Sequence, residues 1–126
     1  MINWEFETNE KPFPATERLP QPQGWRLLIR PMKATERTAG GLYVPEVAQE
    51  KEQIVSTVGQ VVLMGDMCYT KAEHGDEPWC QEGDYVLYSK HTGTRLKVDG
   101  HIVILMNDDE VLAKVPEPNL IQSRII

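Results

Sequence analysis

No apolar run in this chain is long enough to span a bilayer. The longest late one, Ile102 to Met106, is five residues, where a spanning helix needs about 20. Met1 to Lys11 is acidic and polar with no apolar h-region, so no targeting segment is expected and a soluble, cytoplasmic protein is. Cysteine is scarce: Cys68 and Cys80 are the only two, which excludes a disulfide framework, and both are expected as reduced thiols. A basic excess is missing as well. With 13 Lys and Arg against 19 Asp and Glu, the net charge is −6 and the pI near 5.0, so no concentrated basic surface exists for a phosphate backbone. Nucleic acid and membrane are therefore excluded as main partners. Nor does any segment carry a convincing helical period.

What is present suits one compact domain: 126 residues, 40% of them hydrophobic, enough for a modest core. Residues 1–24 are polar and carry Pro12, Pro14, Pro20 and Pro22, which forbids a continuous helix, so an extended arm is expected. Short strand patterns follow. Trp25 to Arg30 alternates with Trp25, Leu27 and Ile29 on one face and is closed by Pro31; Val58 to Met64 is β-branched and apolar. Tyr85 to Tyr88 and Thr94 to Val98 come next, Asp99-Gly100 marks a two-residue hairpin turn, and His101 to Met106 and Glu110 to Val115 flank the polar turn Asn107-Asp108-Asp109. Six or so short strands without a helix predict an all-β fold, a small barrel.

Between Arg30 and Val61 the strand pattern breaks. Lys33 to Thr38 and Glu46 to Gln53 are mostly charged or polar, and such flanks bury too little apolar surface to offset the entropy of ordering them. Inside stands one apolar tripeptide, Leu42-Tyr43-Val44, preceded by Gly40-Gly41 and followed by Pro45-Glu46. The glycines accept positive φ at little steric cost, so the loop can tighten into a hairpin when the tripeptide docks. A short core strand is the competing reading, and the Gly-Gly and Pro-Glu brackets within a polar run argue against it. The expectation is a long exposed loop with an apolar docking tip.

The order of these motifs resembles the GroES-type co-chaperonins of the chaperonin-10 family. It runs strand, loop with Gly-Gly-apolar-apolar-apolar-Pro-Glu, a Gly59-Gln60-Val61-Val62 strand, a central hairpin, then Gly83-Asp84-Tyr85-Val86-Leu87-Tyr88. The ending, Ser89 to Gly100 and then Asn107-Asp108-Asp109-Glu110-Val111-Leu112-Ala113, looks like the family's last two hairpins. Pro78-Trp79-Cys80 looks most like the versions carried by bacteriophages. The resemblance covers about residues 25–115, 91 of the 126. It implies a GroES-like β-barrel domain over that span, an N-terminal extension at 1–24 and a C-terminal extension at 116–126.

That resemblance further implies a heptamer, a dome-shaped ring capping a GroEL-type chaperonin, with each subunit lowering one mobile loop, about residues 33–57. Leu42, Tyr43 and Val44 would enter a groove on the chaperonin, with Gly40 and Gly41 permitting the hairpin. Each such side chain contributes roughly 1.5–3 kcal/mol on burial before the ordering cost is subtracted. Sevenfold linkage makes such weak contacts both strong and releasable. No catalytic residue and no cofactor are implied, ATP being bound by the chaperonin partner, and unfolded client proteins would be enclosed in the chamber. The first strand, Trp25 to Arg30, and the last, Val111 to Val115, would pair across subunit boundaries and hide two sheet edges. A roof hairpin at about residues 65–78 would present Asp66, Tyr69, Lys71, Glu73, His74, Asp76 and Glu77 to the chamber, a polar surface with no apolar patch to rebind a client; an ordinary solvated loop is the alternative. Three features depart from the family's common bacterial form: the second loop limb, Pro45 to Val58, is long at 14 residues, the two extensions are additional, and Tyr43 is bulky for the middle of the tripeptide.

Other chemistry is weaker. Cys68, His74, Cys80 and His91 do not follow a recurrent structural-zinc spacing. His101, at a strand start after a turn, reads as hydrogen-bonded or exposed rather than as a catalytic base. Ser89 and Ser123 lack a nucleophile elbow, and no glycine-rich phosphate loop precedes a helix. The alternative function is a structural or assembly barrel of a phage particle, suggested by the proline-rich front and by Ile121, Ile125 and Ile126.

Overall fold

A computed structural model describes residues 2–7, 9–36 and 58–121. Among the described residues eight strands run in chain order: β1 (Ile2–Glu5), β2 (Arg26–Pro31), β3 (Lys33–Glu36), β4 (Val58–Met64), β5 (Tyr85–Tyr88), β6 (Thr94–Val98), β7 (His101–Asn107) and β8 (Val111–Lys114). Short 3-10 turns at Thr16–Arg18, Ala72–His74, Asp108–Glu110 and Pro118–Leu120 are the only helical elements among the described residues. Six strands form one antiparallel sheet in the order β6-β7-β2-β4-β5-β8, and β1 pairs with β3 in a separate two-stranded ribbon.

The six-stranded sheet curls into the expected small barrel. Val111 on one edge strand and Ile104 and Met106 beside the other meet in a single cluster with Leu27, Ile29, Val61, Val86 and Tyr88, which a flat sheet would not allow. Two register shifts help it bend, where β4 gains a residue opposite Leu28 and Ile29, and β8 gains one opposite Leu87 and Tyr88. At the β2/β4 crossing, a Cβ on Gly59 would stand 2.6 Å from Ile29 Cγ2 and 2.8 Å from Arg30 O, so only glycine lets these strands approach. Asp99 and Gly100 both take positive φ, 51° and 85°, the conformation a two-residue hairpin needs, and Val98 pairs with His101 as the sequence predicts.

Leu27, Leu28 and Ile29 are all fully buried, so β2 does not have the single apolar face its alternation suggests. Its second face is covered by the arm. Phe13 and Leu19 pack with Leu28, Val103, Val62 and Leu105 in a second apolar cluster. The arm is therefore part of the core, folded onto the barrel through irregular backbone that its prolines permit. Trp25 lies just before β2 and is half exposed, with Lys71 Nζ 4.7 Å from its ring centre.

β2 also sits between β4 and β7, hydrogen-bonded on both sides. The expected pairing of the first barrel strand with a neighbouring subunit is corrected on this point, because an interior strand has no free edge to offer. β6 and β8 are the outer strands of the ladder.

Candidate functional site

Two regions carry the residues singled out from sequence: the root of the long loop and the excursion between β4 and β5. At the loop root, Pro31 opposes Gly59 in the β2/β4 ladder, and the Met32 N–H donates to Val58 O at 2.9 Å. The excursion between them thus leaves and re-enters the barrel at one point. Its outgoing limb first runs as β3, paired with β1 in the register Ile2↔Glu36, Asn3↔Thr35, Trp4↔Ala34 and Glu5↔Lys33. Gly40, Gly41, Leu42, Tyr43 and Val44 lie outside the described residues, as does the rest of 37–57.

Beneath this root a third cluster gathers Trp4, Met32 and Val58 with Phe6, Tyr85, Leu87 and Ile121. Both chain extensions contribute to it. The Trp4 indole N–H donates to Ile121 O at 2.7 Å, and the Trp4 backbone N–H donates to Asn119 Oδ1 at 2.9 Å. Nearby, the Arg30 guanidinium lies between the rings of Phe6 and Phe13, 4.1 and 4.2 Å from their centres, and partial burial lowers its affinity for its proton from the ordinary arginine value.

Residues 65–78 form no strand pair, which corrects the roof hairpin to a compact chain of turns. The segment starts bonded to the arm's end, Gly65 N–H to Arg26 O and Met67 N–H to Gly24 O, and its return is held at Val61 by Asp84 O and the Gly83 N–H. Its centre turns inward on Asp108. That carboxylate accepts the Tyr69 N–H at 2.8 Å, and the Asp108 backbone O accepts the Tyr69 hydroxyl, also at 2.8 Å. His74 Nε2 stands 3.8 Å from Asp108 Oδ2, and the Trp79 indole N–H closes over it by donating to His74 O at 3.0 Å.

Tyr69 and His74 are therefore buried, a correction to the exposed roof positions expected of them. Burial, more than charge, raises the Tyr69 phenol well above its usual range, and the hydrogen bond with Cys80 Sγ adds to it. Tyr69 also takes φ 59°, a left-handed backbone that a bulky residue adopts only when its surroundings compel it. Asp66, Lys71, Glu73, Asp76 and Glu77 remain exposed. The sequence signals for what was missed are modest: Ile2, Trp4 and Phe6 alternate with polar residues, a strand pattern hidden within an otherwise polar arm, while Lys33-Ala34-Thr35-Glu36 carries none.

Among the remaining candidates, Cys68 and Cys80 are free, buried thiols in the barrel cluster, and His91 is exposed. His101 Nε2 lies 2.8 Å from Lys11 O with its ring edge-on to Phe13, the hydrogen-bonded histidine expected from its position.

A small curled antiparallel barrel that holds both ends of a long polar excursion at one point is a loop-presenting scaffold. Comparison with known proteins gives its family: the family described as "Chaperonin 10 Kd subunit" matches residues 20–115. Proteins named Co-chaperonin GroES are similar along most of their length. The one from Trichlorobacter lovleyi is 35% identical over 95 residues, 71% of this chain and 90% of its own. That of Kosmotoga olearia is 36% identical over 96 residues, 76% of this chain and 96% of its own. That of Pelobacter propionicus is 38% identical over 90 residues, 71% of this chain and 90% of its own. The chain belongs to the chaperonin 10 family and is a GroES-type co-chaperonin. Membership of the family implies partnership with a GroEL-type chaperonin and oligomerisation.

Proposed function

We propose that the protein assembles as a heptameric ring and closes the folding chamber of a GroEL-type chaperonin, docking through Leu42, Tyr43 and Val44 of each long loop while Gly40 and Gly41 permit the loop's turn. The supporting observation is the loop root: Met32 bonded to Val58 gathers both limbs at one edge of a rigid barrel, so a ring of such barrels lowers one loop per subunit. Affinity then comes from linkage of individually weak anchors, and release follows when the chaperonin's nucleotide cycle withdraws its grooves. The protein's own part is binding rather than catalysis, and ATP belongs to the partner.

Ring closure falls to the outer strands. β8 presents its unpaired side together with half-exposed Leu112, and covering such an edge is what subunit contact accomplishes in a closed ring. The exposed roof residues Asp66, Lys71, Glu73, Asp76 and Glu77 line the chamber ceiling as a charged, non-adhesive surface for an enclosed client. The working compartment is the bacterial cytoplasm, that of an infected host in the phage-encoded setting the sequence resembles.

Co-sedimentation with the GroEL double ring, with ADP or ATP and without nucleotide, tests the proposal. Nucleotide-dependent capture that Leu42→Asp abolishes is the expected result, since a charge is costly in an apolar groove. Equal capture of Leu42→Asp and the unaltered protein would remove the tripeptide from the mechanism, and a protein that sediments only as a monomer would remove the ring.

A further inference from the structure

We propose that the two chain extensions act together as a splint on the outgoing limb of the docking loop, with Trp4 as its positioning residue. The inference rests on the docking reading above and gives the extensions a part in it.

Lys33-Ala34-Thr35-Glu36 contains no large apolar residue and no alternating apolar pattern, so its strand conformation depends on the partner it pairs with. That partner is β1, in register along all four residues. A two-stranded ribbon is marginal in isolation, and here it is fastened from below. Trp4 is buried at 6% exposure against Met32 and Val58, the two residues whose hydrogen bond closes the loop root. The C-terminal extension holds the same residue, its backbone N–H bonded to Asn119 and its indole to Ile121. Phe6, one turn of the pleat further on, stacks on Arg30 of β2. β1 is thus held by β3, by the C-terminal extension and by the barrel core at the loop root.

The consequence is energetic. A limb already fixed in the free protein loses less conformational entropy on docking than one ordered only by the partner, so its anchor binds more tightly for the same contacts. The fixed limb also sets the direction in which the loop leaves the barrel, and only Met32 separates β3 from β2.

The test compares Trp4→Ala, Trp4→Phe and a cross-linked variant, Asn3→Cys with Thr35→Cys, which joins residues directly opposite in the β1/β3 register. Two readouts are needed: hydrogen exchange of amides 33–36 in the free protein, and affinity for ADP-loaded GroEL. Trp4→Ala should lose amide protection at 33–36 and bind at least about tenfold more weakly, while its ring sediments unchanged. Trp4→Phe keeps the buried ring and loses only the indole donor, so it should fall between. The oxidised cross-link should bind at least as tightly as the unaltered protein, and in the Trp4→Ala background it should restore binding until reduced. Unchanged protection or unchanged affinity in Trp4→Ala, under conditions where Leu42→Asp is inactive, overturns the splint and leaves the docking reading standing. Were Leu42→Asp to bind normally, the docking reading would fall, and the exchange data would still decide whether Trp4 orders 33–36. If Trp4→Ala does not fold, the oxidised and reduced cross-link decide: oxidation that weakens binding overturns the proposal.

Discussion

Two long irregular segments lie on this barrel, residues 9–23 and residues 65–84, and they are fastened by opposite means. The first is held from outside by dispersed contacts: Phe13 and Leu19 against the apolar face of β2 and β7, Lys11 paired with Asp99 at 3.0 Å, and the Asn9 amide donating to Gly100 O at 2.8 Å. The second is drawn into the core around a single residue, Asp108, whose carboxylate accepts the Tyr69 N–H and whose backbone oxygen accepts the Tyr69 hydroxyl. Dispersed apolar contacts fail gradually, whereas a buried polar clamp fails at one residue, because each lost partner leaves another stranded without water.

The sharpest break of that comparison is Asp108→Ala. The carboxylate is 1% exposed, and its removal strands the Tyr69 N–H and leaves His74 without its nearest charged neighbour. A loss of about 3–4 kcal/mol is expected in urea denaturation, in the range for opening buried polar pairs. Asp108→Asn, which keeps an acceptor in place, should lose less than half of that. Leu19→Ala comes next, at about 2–3 kcal/mol for emptying a nearly buried leucine site. The two changes should add within error, since they share no partner; strong coupling between them would mean that arm and clamp are one unit.

How much of this was legible in sequence divides along the same line. β4, β5, β6 and the Asp99-Gly100 turn stand where alternation and turn chemistry put them, because one residue's neighbours in sequence decide its face. β1 and β3 are different. Lys33-Ala34-Thr35-Glu36 becomes a strand only because β1 comes back from the chain start to pair with it, a non-local cause that no local pattern encodes. Tyr69 and His74 misled for a related reason: in a run of charged residues they read as surface, and their burial depends on Asp108, some 39 positions away from Tyr69. Leu28 misled in the opposite direction, its burial on the second face of β2 being supplied by Leu19.

A pH test probes the clamp's surroundings without altering a residue. Burial, assisted by the nearby Asp108 charge, raises the Cys68 thiol from 9.0 to about 11, and the thiol donates to Arg26 O at 3.2 Å. A folded-state pKa above the unfolded one stabilises fully below the unfolded value and is lost as pH rises. Stability should therefore be flat up to about pH 9 and fall by on the order of 2 kcal/mol by pH 11. Tyr69 shifts in the same direction, so Cys68→Ala should shallow the decline rather than abolish it. A stability that rises over this range would contradict the buried, protonated thiol.

The finest test sets two tyrosines against each other. Tyr69 and Tyr88 are both buried in the barrel cluster, yet the Tyr69 hydroxyl donates to Asp108 O, whereas the Tyr88 hydroxyl has no hydrogen-bond partner among the described residues. Burial raises the Tyr88 phenol's pKa as well, so neither is ionised at neutral pH. Deleting a bonded hydroxyl costs the bond and strands its acceptor; deleting an unbonded one removes only a desolvation penalty. Tyr69→Phe should therefore destabilise by about 1–2 kcal/mol, and Tyr88→Phe should be neutral or stabilising by up to about 1 kcal/mol. The same chemical change would then carry opposite signs within one core. If both substitutions destabilise equally, Tyr88 has a partner such as a buried water, and the contrast between a polar clamp and an apolar barrel interior loses its basis.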